Sequence, residues 1–351
     1  MRPYIIINGM NSSLVDGLLI SDLPDIIKPQ MRTNQIEIDG RDGDIVQSLG
    51  YSSYDKEINI GLYGNYDIDR VIRYFNSDGE VIFSNEPDKI YKFNILDDIS
   101  YEKLNRFRKA KVTFHVQPFK YSALEKTTSF ASQLLKLGTG SQTHNGHTVS
   151  WDGHELTLSG SSEQDNHFFI PITMKTIAGQ YDINIITSRG SGNCDFRITQ
   201  SSVADDQSLG GQAFAEQSGS TTVSTSKIAE YKYLYIHVPS GSQSGTINIT
   251  VKAHQMDIFN RGNIYSRPLM NLYGSGQITL SINGTAVLVM DITDDYITID
   301  GEGMNAYKGN VLYNRAVIGN YANVVLQPDR NIISWSGNLT RIEVSNYSRW
   351  I

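Results

Sequence analysis

Hydrophobic and polar residues alternate one for one along most of this chain, the period of a strand with one buried face. NQIEIDGRDGDIV alternates around Ile36 and Ile38, then breaks at Gly40 and Gly43 in a turn. KEINIGLYG repeats the pattern with Ile58, Ile60 and Leu62, and VIFSNEPDKIYKFNIL predicts two strands joined by a polar Asn-Glu-Pro-Asp turn. AKVTFHVQPF predicts a strand with Val112, Phe114 and Val116 on one face, stopped by Pro118. One stretch has helical spacing instead. In DIDRVIRYFNSDG, Asp67 or Asp69 supplies a cap, Ile68, Val71, Ile72 and Phe75 form an apolar stripe, and Gly79 ends the helix.

The texture changes along the chain. From about residue 130 to 255, Gly, Ser, Thr and Gln rise, and strands are separated by small polar turns such as TSRGSGN and VPSGSQSG. From Asp257 to Ile351 short strands return, in GQITLSING, AVLVMDITDDYITIDGEG, PDRNIISWSG and RIEVSNYSRW. Short strands with Gly-rich turns and almost no helix predict an all-β protein of packed sheets, with no βαβ units. At 351 residues the chain exceeds one hydrophobic core, so two or three domains are expected.

Composition narrows the chemistry. A hydrophobic content of 39% with 19% charged residues describes a folded chain, and a formal charge of -7 argues against general affinity for nucleic acid or anionic membranes. The single cysteine, Cys194, excludes an intramolecular disulfide and a CxxC zinc pattern, and nothing around it marks an activated thiolate. The opening MRPYIIINGMNSS is too brief for a signal-peptide core, and no segment reaches the apolar length of a membrane span. Synthesis in the cytoplasm without membrane insertion is the expectation. The sequons at Asn248 and Asn283 therefore carry no expectation of glycosylation.

The densest candidate chemistry is THNGHTVSWDGHELTLSG, which gathers His144, His147 and His154 around Trp151 in a chain of seven histidines. Asp152-Gly153 predicts a two-residue hairpin turn, with Trp151 opposite His154, Val149 opposite Leu156 and His147 opposite Leu158. That face is mostly apolar and is expected to pack inward. The pairing separates His147 from His154 along the ladder, too far for one tetrahedral zinc, and leaves His144 unconstrained before the hairpin. No carboxylate or nucleophile is placed to form a triad with them. EYKYLYIHV offers a better binding feature. Lys232, Leu234, Ile236 and Val238 alternate with Tyr231, Tyr233, Tyr235 and His237, so a core face implies a tyrosine ladder on the other. Aromatic rings with polar tips suit sugars, whose C–H faces stack on them. Tyr231, Tyr233 and Tyr235 are the candidate carbohydrate-binding residues, with Trp151 as a second contact; cross-strand aromatic pairing is the structural alternative. A glycosidase would need two carboxylates at a set separation, and Asp205, Asp206 and Glu216 sit in a polar stretch that defines no cleft. No motif implies a cofactor or a resident metal. GRDGD is followed by strand-like sequence, so no phosphate cradle at a helix start is expected there.

The first zone, with GRDGD, DRVIRYFNSDGEVIFSNEPDKIYKFNIL and AKVTFHVQPFKYS, resembles the N-terminal domain of siphophage distal tail (Dit) proteins. FNRGNIYSRPLMNLYGSGQITLSINGT, YITIDGEGMNAY and NIISWSG resemble the C-terminal domain of that family. Together the two stretches cover about two-thirds of the chain, in the family's order. NGHTVSWDGHELTLSGS, AGQYDINIITSRGSGNCDFRI and EYKYLYIHVPSGSQSGTINITVKA resemble carbohydrate-binding-type sandwiches that decorate some phage tail proteins.

The resemblance implies an N-terminal ring-forming β-sandwich over 1–122 with one helix and an arm that clasps its neighbour. It implies a C-terminal galectin-like β-sandwich over 123–135 and 256–351, interrupted by an inserted jelly-roll-like sandwich over 136–255. It further implies a homohexameric ring at the distal end of the virion tail, joining tail tube to tail tip. The implied partners are the tail tube protein, the tape measure protein, the tail-associated lysin or fibre hub, and a host cell-surface glycan. In a ring, the basic run KLNRFRKAK gains meaning as an intersubunit contact. Arg106, Arg108 and Lys109 would then face Arg41 and Asp42 of DGRDGDIV in a neighbour, where otherwise the run is a solvated strand edge. The expectation is a non-enzymatic tail component with an adhesive insert. A free-standing lectin and a virion-associated wall hydrolase are the alternatives.

Overall fold

The computed structural model describes residues 2–351 except 77, 105–106, 154, 189–193, 203–207, 210–213, 216–218 and 227. The all-β expectation holds: strands dominate, and the helix Ile68–Phe75 is the one α-helix among the described residues. Asp67 caps it, its side chain accepting from the amides of Asp69 and Arg70. Val71, Tyr74 and Phe75 are the buried positions, while Ile72, expected inward, is exposed. Tyr74 takes that place because its hydroxyl reaches the carbonyls of Ile5 and Met10.

The first sheet runs in the order Met10–Asn11, Ile5–Ile7, Gly79–Phe83, Lys89–Asn94, Phe107–Ser122, Tyr54–Leu62, Leu18–Ile20. Its inward residues are the alternating sets read from the sequence, among them Ile58, Ile60, Leu62, Val112, Phe114 and Val116. Pro118 does not stop its strand. The strand continues to Ser122, and the register shifts between Val116 and Lys120, so the proline sits in a bulge where no ladder donor is needed. From this sheet a separate hairpin projects, Met31–Ile36 paired with Ile45–Tyr51, and no other strand joins it among the described residues.

The second sheet has two long strands, Leu269–Ile282 and Asp329–Ser345, paired along most of their length and bulged near Gly274 and Ser275. They carry neighbours on both halves, so one pair of strands contributes to both layers around a core that includes Met270, Leu280, Ile333 and Trp335. The strands Thr128–Ala131 and Gln255–Asn260 both pair with Asp329–Ser345. Everything between them forms two further sheets with their own core. The chain leaves at Leu134 and returns at Val251 side by side, with the Leu134 amide donating to Val251 and the Ala253 amide to Ser132. One of these sheets runs Thr139–His144, His147–Asp152, Glu155–Ser162, Gly245–Ala253, Gly179–Thr187, Gly219–Thr225. The other runs Asn166–Thr176, Ala229–Val238, Asp195–Thr199, Phe214–Ala215. Val149, Leu158, Ile183 and Ile249 from the first face Phe168, Ile170, Leu234 and Ile236 from the second.

The end of the chain departs from the sequence reading. Arg349–Trp350 pairs with Lys120 and Tyr121 of the first sheet, so the last residues lie on the N-terminal body. Arg349 is buried at 2% exposure between the rings of Phe119 and Tyr265, donating to the Tyr265 carbonyl and to Glu302.

Candidate functional site

The histidine-rich stretch folds as two hairpins back to back. Asn145 and Gly146 make the first turn with positive φ, 47° and 96°, the conformation of a tight hairpin turn. This pairs His144 directly with His147. The second turn follows Asp152, which pairs with Glu155, one position later than expected, so Val149 pairs with Leu158, Trp151 with Leu156 and His147 with Gly160. A shift of the turn by one residue moves each partner by two, so the same face stays inward.

His147 is fully buried, and both ring nitrogens are used. Asn166 donates to Nδ1 at 2.9 Å, so the hydrogen is on Nε2, which donates to the Gly241 carbonyl at 2.8 Å. A saturated imidazole has nothing left for a metal. His144 is exposed and sets its ring edge-on to Phe168 at 4.9 Å. His154 lies outside the described residues, and no group of three or more metal-ligating side chains occurs among the described ones. Trp151 is half-buried against the core and lies over Gly140, where an added Cβ would sit 2.6 Å from its ring. Asp205, Asp206 and Glu216 also lie outside the described residues.

The tyrosine ladder is real only in part. Its strand pairs with Asn166–Thr176, and the register shifts between Pro171 and Met174. Pro171 faces Tyr233, whereas Met174, a core residue, faces Tyr231. The bulge reverses the side-chain phase, so Tyr231 turns inward at 4% exposure and burial raises its hydroxyl pKa. Tyr231 therefore belongs to the core and leaves the candidate site. Tyr235 keeps the outward face but is covered, at 5% exposure. His167 stacks on it at 5.8 Å and its Nδ1 meets the Tyr235 hydroxyl at 2.8 Å; Arg197 lies over the ring at 5.6 Å. Burial raises the Tyr235 pKa and Arg197 partly offsets this.

What faces outward is a cluster drawn from three strands. His167 is exposed, and Phe169 and Tyr233 are half-buried and meet edge to face at 6.3 Å. His237 stacks on His167 at 5.2 Å, reaches Asp165 at 3.2 Å through Nε2, and lies 3.7 Å from Asp195 through Nδ1. Asp165 also accepts from the Ser240 amide at 2.8 Å, and that bond, followed by His237, holds its carboxyl below the usual carboxylate range. Sequence reasoning missed His167, Phe169, Asp195 and Arg197, which lie on other strands. The alternation of HFFIP and DFRI was the signal that could have found them.

The N-terminal residues expected at an intersubunit contact are spread apart. Arg41 and Asp42 are exposed at the tip of the projecting hairpin. Arg108 is used within its own chain, donating to the Tyr66 hydroxyl and the Tyr101 carbonyl, both at 3.1 Å. Arg106 lies outside the described residues. Lys109 is exposed and lines a cavity of about 860 Å³ with Leu19, Tyr63, Phe107, Lys111 and Glu102.

Residues 13–116 match the family model of the phage tail protein RIFT-related domain. The resemblance of the first zone to distal tail proteins is thereby borne out. No curated protein matches the chain. Among solved structures, the Dit protein of phage SPP1 is similar at 13% identity over 72% of this chain and all of that one, with a TM-score of 0.29. The phage P2 baseplate in its activated conformation with Ca is similar at 12% identity over 98% of this chain and 97% of that one, TM-score 0.35. A serum f-lectin of the striped bass Morone saxatilis is similar at 9% identity over 64% of this chain and 96% of that one, TM-score 0.18. With TM-scores this low, these likenesses carry no functional weight.

Proposed function

We propose, from the premise that this chain is a siphophage tail protein of the distal-tail kind, that it closes a homohexameric ring between tail tube and tail tip and holds its inserted sandwich outward as an adhesive module for host-wall glycan. Its role is structural and non-catalytic. The observation that carries the ring is the projecting hairpin. Met31, Ile36, Ile45, Val46 and Leu49 are all exposed on it, and an isolated two-stranded hairpin is marginal in water. Its apolar residues call for cover from outside the chain, and its unpaired edges invite another copy. The tip carries Glu37, Asp39, Asp42 and Asp44 against Arg41, while the cavity on the same domain offers apolar Leu19, Tyr63 and Phe107, with Lys109 and Lys111 balanced by Asp22 and Glu102. An apolar hairpin and an apolar groove on different parts of one domain make a head-to-tail contact, the kind that closes rings. Several copies of the insert on one ring would convert weak sugar contacts into firm attachment.

Mass photometry of the purified protein tests this. We expect hexamers for the wild-type chain, and monomers for an Ile36→Ser, Val46→Ser, Leu49→Ser triple variant that keeps its far-UV spectrum. A wild-type chain that stays monomeric even with its tail neighbours added would overturn the ring and favour a free-standing glycan-binding protein.

A further inference from the structure

We propose that the outer face of the four-stranded sheet in the insert, centred on His167, Phe169 and Tyr233, is a polysaccharide platform that takes an internal stretch of an uncharged glycan chain. This rests on the adhesive reading above and names its site and ligand class.

The rings presented to solvent are His167, Phe169 and Tyr233; Tyr235 is the floor beneath them, fixed by its bond to His167 and by Arg197. His237, His167 and Tyr235 lie nearly parallel in one row, with interplanar angles of 23° and 16°. Rings fixed by their neighbours lose little freedom when a pyranose stacks on them, which is the property a sugar platform needs. Polar groups border the row. Asp165, Asp195, His237 and Arg197 can accept from or donate to sugar hydroxyls.

Charge decides the ligand class. Two carboxylates stand at the His237 end, and Asp165 stays ionised into the acid range because the Ser240 amide and His237 favour its charged form. The guanidinium of Arg197 is stacked over Tyr235. Phosphate, sulfate or uronate groups would meet Asp165 and Asp195, whereas hydroxyls meet partners throughout. Shape decides the mode. These side chains stand on a sheet face, and the Tyr233–His237 run with its two flanking strands spans roughly 13 Å by 10 Å, room for about two or three sugar rings. A surface of that length suits a chain passing across it more than a single terminal sugar.

The test is affinity electrophoresis of the full chain through gels carrying neutral glucans, mannans, galactomannans or rhamnans, and in a separate arm polyglycerol phosphate, with binding to whole host cell wall measured in parallel. We expect retardation by at least one neutral polymer. Tyr233→Ala and Phe169→Ala should each weaken it roughly tenfold, the size of one lost stacking contact. Tyr233→Phe should retain it. Ile186→Ser, at an exposed position on the other sheet of the insert, should leave it unchanged, with melting curves confirming that every variant folds. Competition by oligosaccharides but not by their monosaccharides is the expected sign of internal-chain binding. Equal competition by monosaccharides overturns that mode, and binding to polyglycerol phosphate alone overturns the neutral class. Wall binding that survives both alanine variants overturns this face and leaves the adhesive reading standing. Binding to no polymer and to no host wall removes both.

Discussion

Lys56 shows how strictly a strand's parity is enforced. It stands two residues before Ile58 on the inward register of Tyr54–Leu62, so the strand carries its ammonium into the core at 1% exposure. There the ammonium donates to the Asp25 carbonyl at 2.6 Å and lies 4.9 Å from the Tyr91 ring and 5.6 Å from that of Phe83. Glu86 is committed elsewhere, pairing with Lys120 at 2.8 Å and accepting from the Tyr91 hydroxyl. Burial lowers the Lys56 pKa to about 8, Glu86 and Asp25 oppose the shift, and Lys120 adds to it. The sign follows from proton counting. Below about 8 both folded and unfolded chains hold this proton; between about 8 and the ordinary lysine range only the unfolded chain does, so stability rises with pH. Burial raises the tyrosines nearby, Tyr54 to about 12 and Tyr74 and Tyr91 further, so above about pH 10 the unfolded chain ionises first and stability falls. Thermal melts should therefore show a midpoint that climbs from pH 8 to about 10 and then drops. In Lys56→Met the climb should vanish while the drop remains.

At the scale of elements, registers are set by turns and bulges more than by alternation. Alternation in HTVSW and ELTLS located both strands and their buried face, yet the partner of every residue was off by two because Gly153, not Asp152, begins the turn. The Asn145-Gly146 turn was legible as a dipeptide and went unread beside the histidines. Gly146 has φ of 96°, and an added Cβ would strike the Ser161 carbonyl, so both conformation and space demand glycine. Gly146→Ala should cost the insert about 2 kcal/mol, read as a lower denaturation midpoint. Gly153, with positive φ but open space around it, should lose about 1 kcal/mol on the same change. Equal losses at the two sites would mean that the Ser161 contact adds nothing.

Across the whole molecule, the joint between the N-terminal body and the C-terminal sandwich turns on one buried guanidinium. Arg349 sits on a strand of the first sheet, stacks on Phe119 of that sheet, and bonds to Tyr265 and Glu302, which lie in connections between strands of the C-terminal sandwich. Nearby, Glu125 accepts from the Ser348 amide and hydroxyl at 2.7 Å, fastening the returning chain to the outgoing one. Lys89 covers Trp350 at 3.6 Å. Removing the Arg349 side chain leaves a void between Phe119 and Tyr265 and a carbonyl without its donor, while the half-exposed Glu302 is solvated, so Arg349→Ala should cost about 3 kcal/mol. The joint should open before either core melts, seen as new protease cuts near residues 122–128 at temperatures where both cores remain folded. Cuts appearing only with global unfolding would show that the joint is held by other contacts.

The sequence by itself determined that the chain is all-β, where most strands run, which face of each is buried, and that the first third resembles a phage tail domain. Those properties are local: period-two alternation, turn dipeptides and a helix cap act within a few residues. Only the tertiary structure decided that Tyr231 enters the core, that Tyr235 becomes the floor of a platform, and that His167, Phe169 and Arg197 complete it. It also decided that the last strand crosses back to the first sheet. Each of these depends on a bulge or a pairing between residues far apart in sequence, and pairing energies come from partners that alternation within one strand does not name.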